Sequence, residues 1–282
     1  MGRIRFLYDN VFDSGVLFAS SAVPTLPVRY LQDIQRSKPW RASGCANEYV
    51  DVQLPTPTWC NALVVDRHNL TPDGIITIQA GVSQGDNSLL DLSLESWEPI
   101  VGWGEFDWGD RRFDWMGWPA REDIRGRAMR WFYFDGAPAT WWRIGFQDPT
   151  NPKGFVQAGR IFLGCYWSPA VNFFWPYKIY PVDPSITDYS LGGNPRGNEL
   201  DQYWMGELPF ERVANQDVWW GFQDLFQLVG TKKDFYLDPH PDSPMPSKTY
   251  FTRLYGRLTE LPQMEFGDFD RGEHTISIRE SL

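Results

Sequence analysis

Between residues 17 and 81 short apolar or alternating segments are repeatedly cut by polar, Pro-bearing and Gly-bearing turns. Leu17-Phe18-Ala19 runs into Ser20-Ser21, Tyr49 to Leu54 and Asn61 to Val65 follow, His68-Asn69 interrupts, and Ile75 to Ala80 resumes. Within 49–54, Val50, Val52 and Leu54 point one way while Asp51 and Gln53 point the other, the period of a half-buried strand. Short strands with turn signals between them exclude a helical core and predict an antiparallel β-sandwich. The 22 prolines and 25 glycines agree with many turns, and a hydrophobic fraction of 42% supplies a core.

Further strands are expected at Arg3 to Tyr8, Trp141 to Phe146 and Gly159 to Gly164, with one helical turn in Val28 to Ile34. Residues 95–135 break the rhythm. Trp97, Trp103, Trp108, Trp115, Trp118 and Trp131 alternate there with Glu105, Asp107, Asp110, Arg111, Arg112 and Asp114, in no clean period. This reads as an excursion from the sandwich. Residues 169–201, rich in Pro, Gly and Asn, read as a linker or long surface loop. The expected organisation is therefore a sandwich over 1–168, that linker, and a smaller β domain over 202–282. The last part holds one amphipathic helix at about 217–229, with Val218, Phe222, Leu225, Phe226 and Val229 on one face and Gly230 as its C-cap. Strands are expected again at 250–258 and 274–278.

Charge narrows the partners. The net charge is −10, and the surplus lies late: residues 176–282 carry 10 basic and 17 acidic side chains. Such a chain lacks the positive charge that phosphate neutralisation needs, so no nucleic-acid partner is expected. Asp9 and Asp13 interrupt any apolar leader at the start, and no apolar run approaches the ~18 residues of a membrane span. Cys45, Cys60 and Cys165 show no metal-ligand spacing and read as reduced thiols.

The catalytic search returns little. His68, His240 and His274 sit in no metal motif, and neither a nucleophile elbow nor a phosphate loop is present. Asp9, Asp13 and Asp33 offer oxygen ligands for calcium but lack an EF-hand-like loop; solvated turn acids are the simpler reading, and no metal or cofactor is expected. Glu105, Asp107, Asp110 and Asp114 among indoles suit a glycan-degrading enzyme, whose mechanism requires a carboxylate pair at a set separation. The same tryptophans suit a sugar platform or a protein interface. Trp103, Trp108, Trp115 and Trp118, with Asp107, Arg111 and Arg112, are the candidate binding residues. The preferred reading is a clamp between subunits over 97–118, and no enzyme.

The order of elements over roughly residues 10–168 resembles discoidin-type, galactose-binding-like jelly rolls. Tyr8 to Gly15 running into Ala19-Ser20-Ser21 and Trp40-Arg41-Ala42-Ser43 is similar to virion proteins carrying that sandwich. Gln157 to Pro169 is similar to the end of the module in phage minor tail proteins, and Phe222 to Phe226 with Gly230 to Lys233 to small β domains that dock on tail rings. The resemblance implies a mainly all-β, structural component of a phage tail tip or baseplate. It would be made in the host cytoplasm and built into the virion as a homo-oligomeric ring against tail tube, hub or distal tail proteins. The alternative it leaves is a receptor-binding module for host-surface saccharide.

Overall fold

The computed structural model describes residues 2–101, 128–189, 192, 195–198, 200–268 and 271–282. It divides into two compact units. The sandwich unit is Asp9–Tyr166 with Pro244–Tyr250; the terminal unit joins both chain ends, Met1–Tyr8, Trp167–Ser243 and Phe251–Leu282. Strand β1 (Arg5–Leu7) belongs to the terminal unit. The sandwich unit holds β2 (Val16–Ala19), β3 (Trp40–Arg41), β4 (Glu48–Asp66), β5 (Ile75–Gly81), β6 (Leu90–Glu95), β7 (Met129–Gln147), β8 (Gln157–Ala158) and β9 (Arg160–Gly164). The terminal unit resumes with β10 (Lys178–Val182), β11 (Ile186–Tyr189), β12 (Pro195–Asn198), β13 (Tyr203–Ala214), β14 (Phe235–Asp238), β15 (Leu254–Leu258), β16 (Glu265–Asp268) and β17 (Arg271–Glu280).

The expected mainly β, antiparallel class is what the chain adopts. Among the described residues, the sandwich unit has a six-stranded sheet ordered β2-β4-β7-β5-β6, with β9 also on β4. Its organising pieces are β4 and β7, each 19 residues long and paired along their length. The near end of β4, at 50–53, takes β2, while its far end, at 62–66, takes β9. Long strands that change neighbours part-way bend a sheet onto itself. Register slips twice along the pair, between Gln53 and Thr58 and again between Cys60 and Ala62. Pro55 and Pro57 fill the first slip, where the ladder needs no backbone donor. The second slip changes which residues face inward: Leu54 and Cys60 do so before it, Leu63 and Val65 after it. Both halves bury one core with Ile76, Ile78, Trp142, Ile144, Phe146, Ile161 and Leu163.

The terminal unit has a second antiparallel sheet, ordered β1-β14-β15-β17-β13-β10 with β16 on β17, again among the described residues. Against it lies a helical segment in three pieces: Asn215–Asp217, a π turn at Val218–Phe222, then Gln223–Val229. Its expected apolar face is buried in full, Val218, Phe222, Leu225, Phe226 and Val229 sharing a core with Phe210, Ile276 and Ile278. The helix stops at Gly230, whose φ of 57° suits a residue without Cβ; its N–H reaches the Phe226 carbonyl at 2.9 Å. Glycine is also required at 221, where a Cβ would overlap the Trp167 indole.

Two local expectations change. Residues 250–252 finish a helix, Pro246–Thr252, and the strand starts only at Leu254; proline at the first helical position is pre-shaped for that start. The Pro/Gly-rich stretch contains β10 and the β11–β12 hairpin. No helix of the described residues is long and apolar enough to cross a membrane.

Candidate binding surfaces

The seven candidates Trp103, Trp108, Trp115, Trp118, Asp107, Arg111 and Arg112 lie outside the described residues, as do Glu105, Asp110 and Asp114. Trp97, at the edge of that segment, is a core residue. It is buried with Ile100, Val101 and Ala128, and its indole N–H donates to the Leu70 carbonyl at 2.8 Å.

Burial, assisted by Arg130, pushes His68 down to about 3, and its ring meets the edge of Trp97. Burial alone pushes His274 down to about 4. It stacks on Phe210, with Phe222 edge-on at 4.2 Å, and neither ring nitrogen has a hydrogen-bond partner among the described residues. His240 shares a 2.9 Å hydrogen bond with the Tyr177 hydroxyl. Burial raises the Cys60 and Cys165 thiols, so both stay protonated and weakly nucleophilic. Of the acids read as calcium ligands or turn acids, Asp13 accepts from Arg160 at 2.6 Å and the Asp33 carboxylate from the Gln35 N–H at 3.0 Å.

Two places in the sandwich unit present aromatic rings with polar neighbours. Arg143 packs against Tyr49 and the fully buried Trp141, 3.9 and 5.2 Å from their ring centres. It is held by a two-pronged contact to Asp51 at 2.7 and 2.8 Å. That hydrogen-bonded carboxylate raises the Arg143 pKa, so this column is a satisfied, permanently charged unit. The second place is Trp59, on β4 just past the proline-filled slip. Its side chain is 53% exposed. Gly136 supports it, because a Cβ there would overlap the indole. Cys165 Sγ donates to the Trp59 carbonyl at 2.9 Å, and Pro138 stands opposite in register. One side of the ring thus rests on backbone while the other faces solvent, with exposed Asp135 next to the supporting glycine.

The terminal unit exposes a different aromatic group. Trp219 and Trp220 sit in the π turn and are 53% and 82% exposed. Trp219 stacks on Phe266, itself 49% exposed, at 5.8 Å and 13°. Gly272 lies beneath, where a Cβ would meet Val218 and Phe266. These tryptophans were open to sequence reasoning: the apolar stripe that starts at Val218 leaves both off its face. Trp59 had no such signal, since the two prolines before it hide the strand.

No protein-family model matches the chain, and no curated protein matches it. Among solved structures, it is similar to chitosan-binding module 1 of a chitosanase/glucanase from Paenibacillus sp. IK-5, at 12% identity and a TM-score of 0.37, covering 55% of this chain and 98% of that one. A family 32 carbohydrate-binding module from C. perfringens NanJ, in complex with galactose, matches at 14% identity and a TM-score of 0.36, covering 58% and 99%. The lectin domain of Lectinolysin, complexed with Lewis B antigen, matches at 8% identity and a TM-score of 0.37, covering 55% and 95%.

Proposed function

We propose that this chain is a non-catalytic binding protein whose sandwich unit holds a saccharide against Trp59. One observation carries this reading: an indole supported from behind by Gly136 and open in front. A pyranose has a C–H face and a rim of hydroxyls. An exposed ring accepts the first, and an adjacent carboxylate such as Asp135 the second. The neutral, buried histidines and protonated thiols support binding without chemistry. A glycan array with the wild type and Trp59→Ala tests it. Retention of a glycan class by the wild type, loss in the variant and no reducing-sugar release are expected. Equal retention by both removes Trp59 from the site.

A second reading, a structural component of a phage tail tip or baseplate, rests on the resemblances of Tyr8 to Gly15 and Gln157 to Pro169. The exposed Trp219–Trp220–Phe266 group favours it, since such a group suits docking on a neighbouring protein. Micrographs of particles with this chain labelled test it: label at the distal tail supports the reading, and particles without label reject it.

A further inference from the structure

We propose that Trp219, Trp220 and Phe266 form a docking surface for a cationic, Lys- or Arg-bearing segment of a partner protein. This names the partner chemistry for the assembly reading and rests on that reading for its biological setting.

Shape supports a protein partner. Trp220 protrudes, with 82% of its surface exposed. A ring in that position works as a knob entering a partner's pocket, as buried tryptophan anchors do at interfaces. Trp220 lies within the π turn. Val218 and Phe222 stay in the core while two consecutive indoles between them turn out. Such turns cost regular hydrogen bonding and recur at functional sites.

Charge supplies the sign. Neither 213–231 nor 258–270, the two segments bearing the three rings, contains Lys or Arg. They carry Asp217, Asp224, Glu260, Glu265, Asp268 and Asp270. Asp217 is hydrogen-bonded to the Ala170 N–H at 2.7 Å and Asp224 to the Tyr8 hydroxyl at 2.8 Å, so both are fixed in place. Directly beside Phe266, Glu265 on β16 stands opposite Glu273 on β17. Both are exposed, and among the described residues neither makes a salt bridge. Like charges at directly opposed strand positions destabilise the pair, and an incoming cation between them reverses that term. Exposed indoles add cation–π attraction for the same kind of group. Rings and carboxylates therefore select one chemistry together.

The probe is a short peptide alternating Lys and Arg with Gly and Ser, compared with its Glu-substituted counterpart and with a glucosamine oligomer. Tryptophan fluorescence and calorimetry read binding at low and high salt. The basic peptide is expected to bind and the acidic one not. Trp220→Ala, a surface change that leaves melting unaltered, should weaken binding about tenfold or more. The pair Glu265→Gln and Glu273→Gln should weaken it less and flatten its salt dependence. Equal binding by all variants overturns the proposal, because only diffuse acidity would then be at work. Binding of the glucosamine oligomer but not of the peptide also overturns it, making the surface a sugar site. Particle labelling separately tests the assembly reading, so the two can fail independently.

Discussion

Among the exposed tryptophans, two stations, Trp59 in the sandwich unit and Trp220 in the terminal unit, are built on opposite plans. Trp59 lies on a strand, supported from behind by a glycine and pinned through its carbonyl. Trp220 stands on a π turn with little around it. The first is a platform open on one side, which suits a ligand laid against it. The second is a knob amid acids, which suits insertion into a basic partner. What separates them is how the backbone beneath each ring is made, since the residue type is the same.

That contrast extends to what each helix or strand position costs to change. On the terminal helix, Phe222 is fully buried among Phe6, Trp167, Phe210 and His274. Phe222→Ala should cost the terminal unit about 3–5 kcal/mol. Trp220→Ala, two residues away, should stay within about 0.5 kcal/mol. Urea melts followed by far-ultraviolet circular dichroism compare them directly. Similar losses for both would mean that Trp220 is packed and cannot be a free knob.

Acid should act on the same core. Burial holds His274 neutral, its pKa down at about 4 against an ordinary 6.5. As pH falls, the unfolded chain therefore binds the proton first. Stability from this group is complete above 6.5 and is lost progressively down to about 4, by roughly 3 kcal/mol in all. His274→Phe should flatten that part of the pH–stability curve. An unchanged curve would show that the imidazole finds a partner or water when charged.

The supporting glycines sharpen the comparison further. A Cβ at Gly221 presses on Trp167, which is packed against Phe6 and Phe222. Gly221→Ala should cost about 1–3 kcal/mol by overpacking. A Cβ at Gly136 presses on Trp59, whose exposed ring can swing aside. Gly136→Ala should cost less than about 1 kcal/mol yet dismantle the platform. Thermal melts of the two variants check the order; the reverse order would mean that Trp59 is held as tightly as Trp167.

Much of the fold was legible because its elements carry regular periods. The stripe of Val218, Phe222, Leu225, Phe226 and Val229 is buried as spaced, and His274, Ile276 and Ile278 share the buried side of β17. What stayed hidden depends on distant partners. Asp51 reads as the solvent side of its strand but is buried, because Arg143, 92 residues on, closes over it. The 19-residue length of β4 is masked by Pro55 and Pro57, tolerated only because β7 slips register beside them. That Arg5–Leu7 pairs with Phe235–Asp238 could not be read from local pattern, since strand pairing leaves no mark on either segment alone. For the site, the tryptophans that the sequence points to lie outside the described residues. Those that the structure exposes had to be recognised by what supports them.

The division of labour between the two stations is tested most directly by a double dissociation. Trp59→Ala and Trp220→Ala are each titrated with the glycan selected on the array and with the basic peptide, in the same buffer and by the same calorimetric readout. Trp59→Ala should lose the glycan and keep the peptide, and Trp220→Ala should do the reverse. Loss of both ligands in one variant, or of the same ligand in both, would contradict the account.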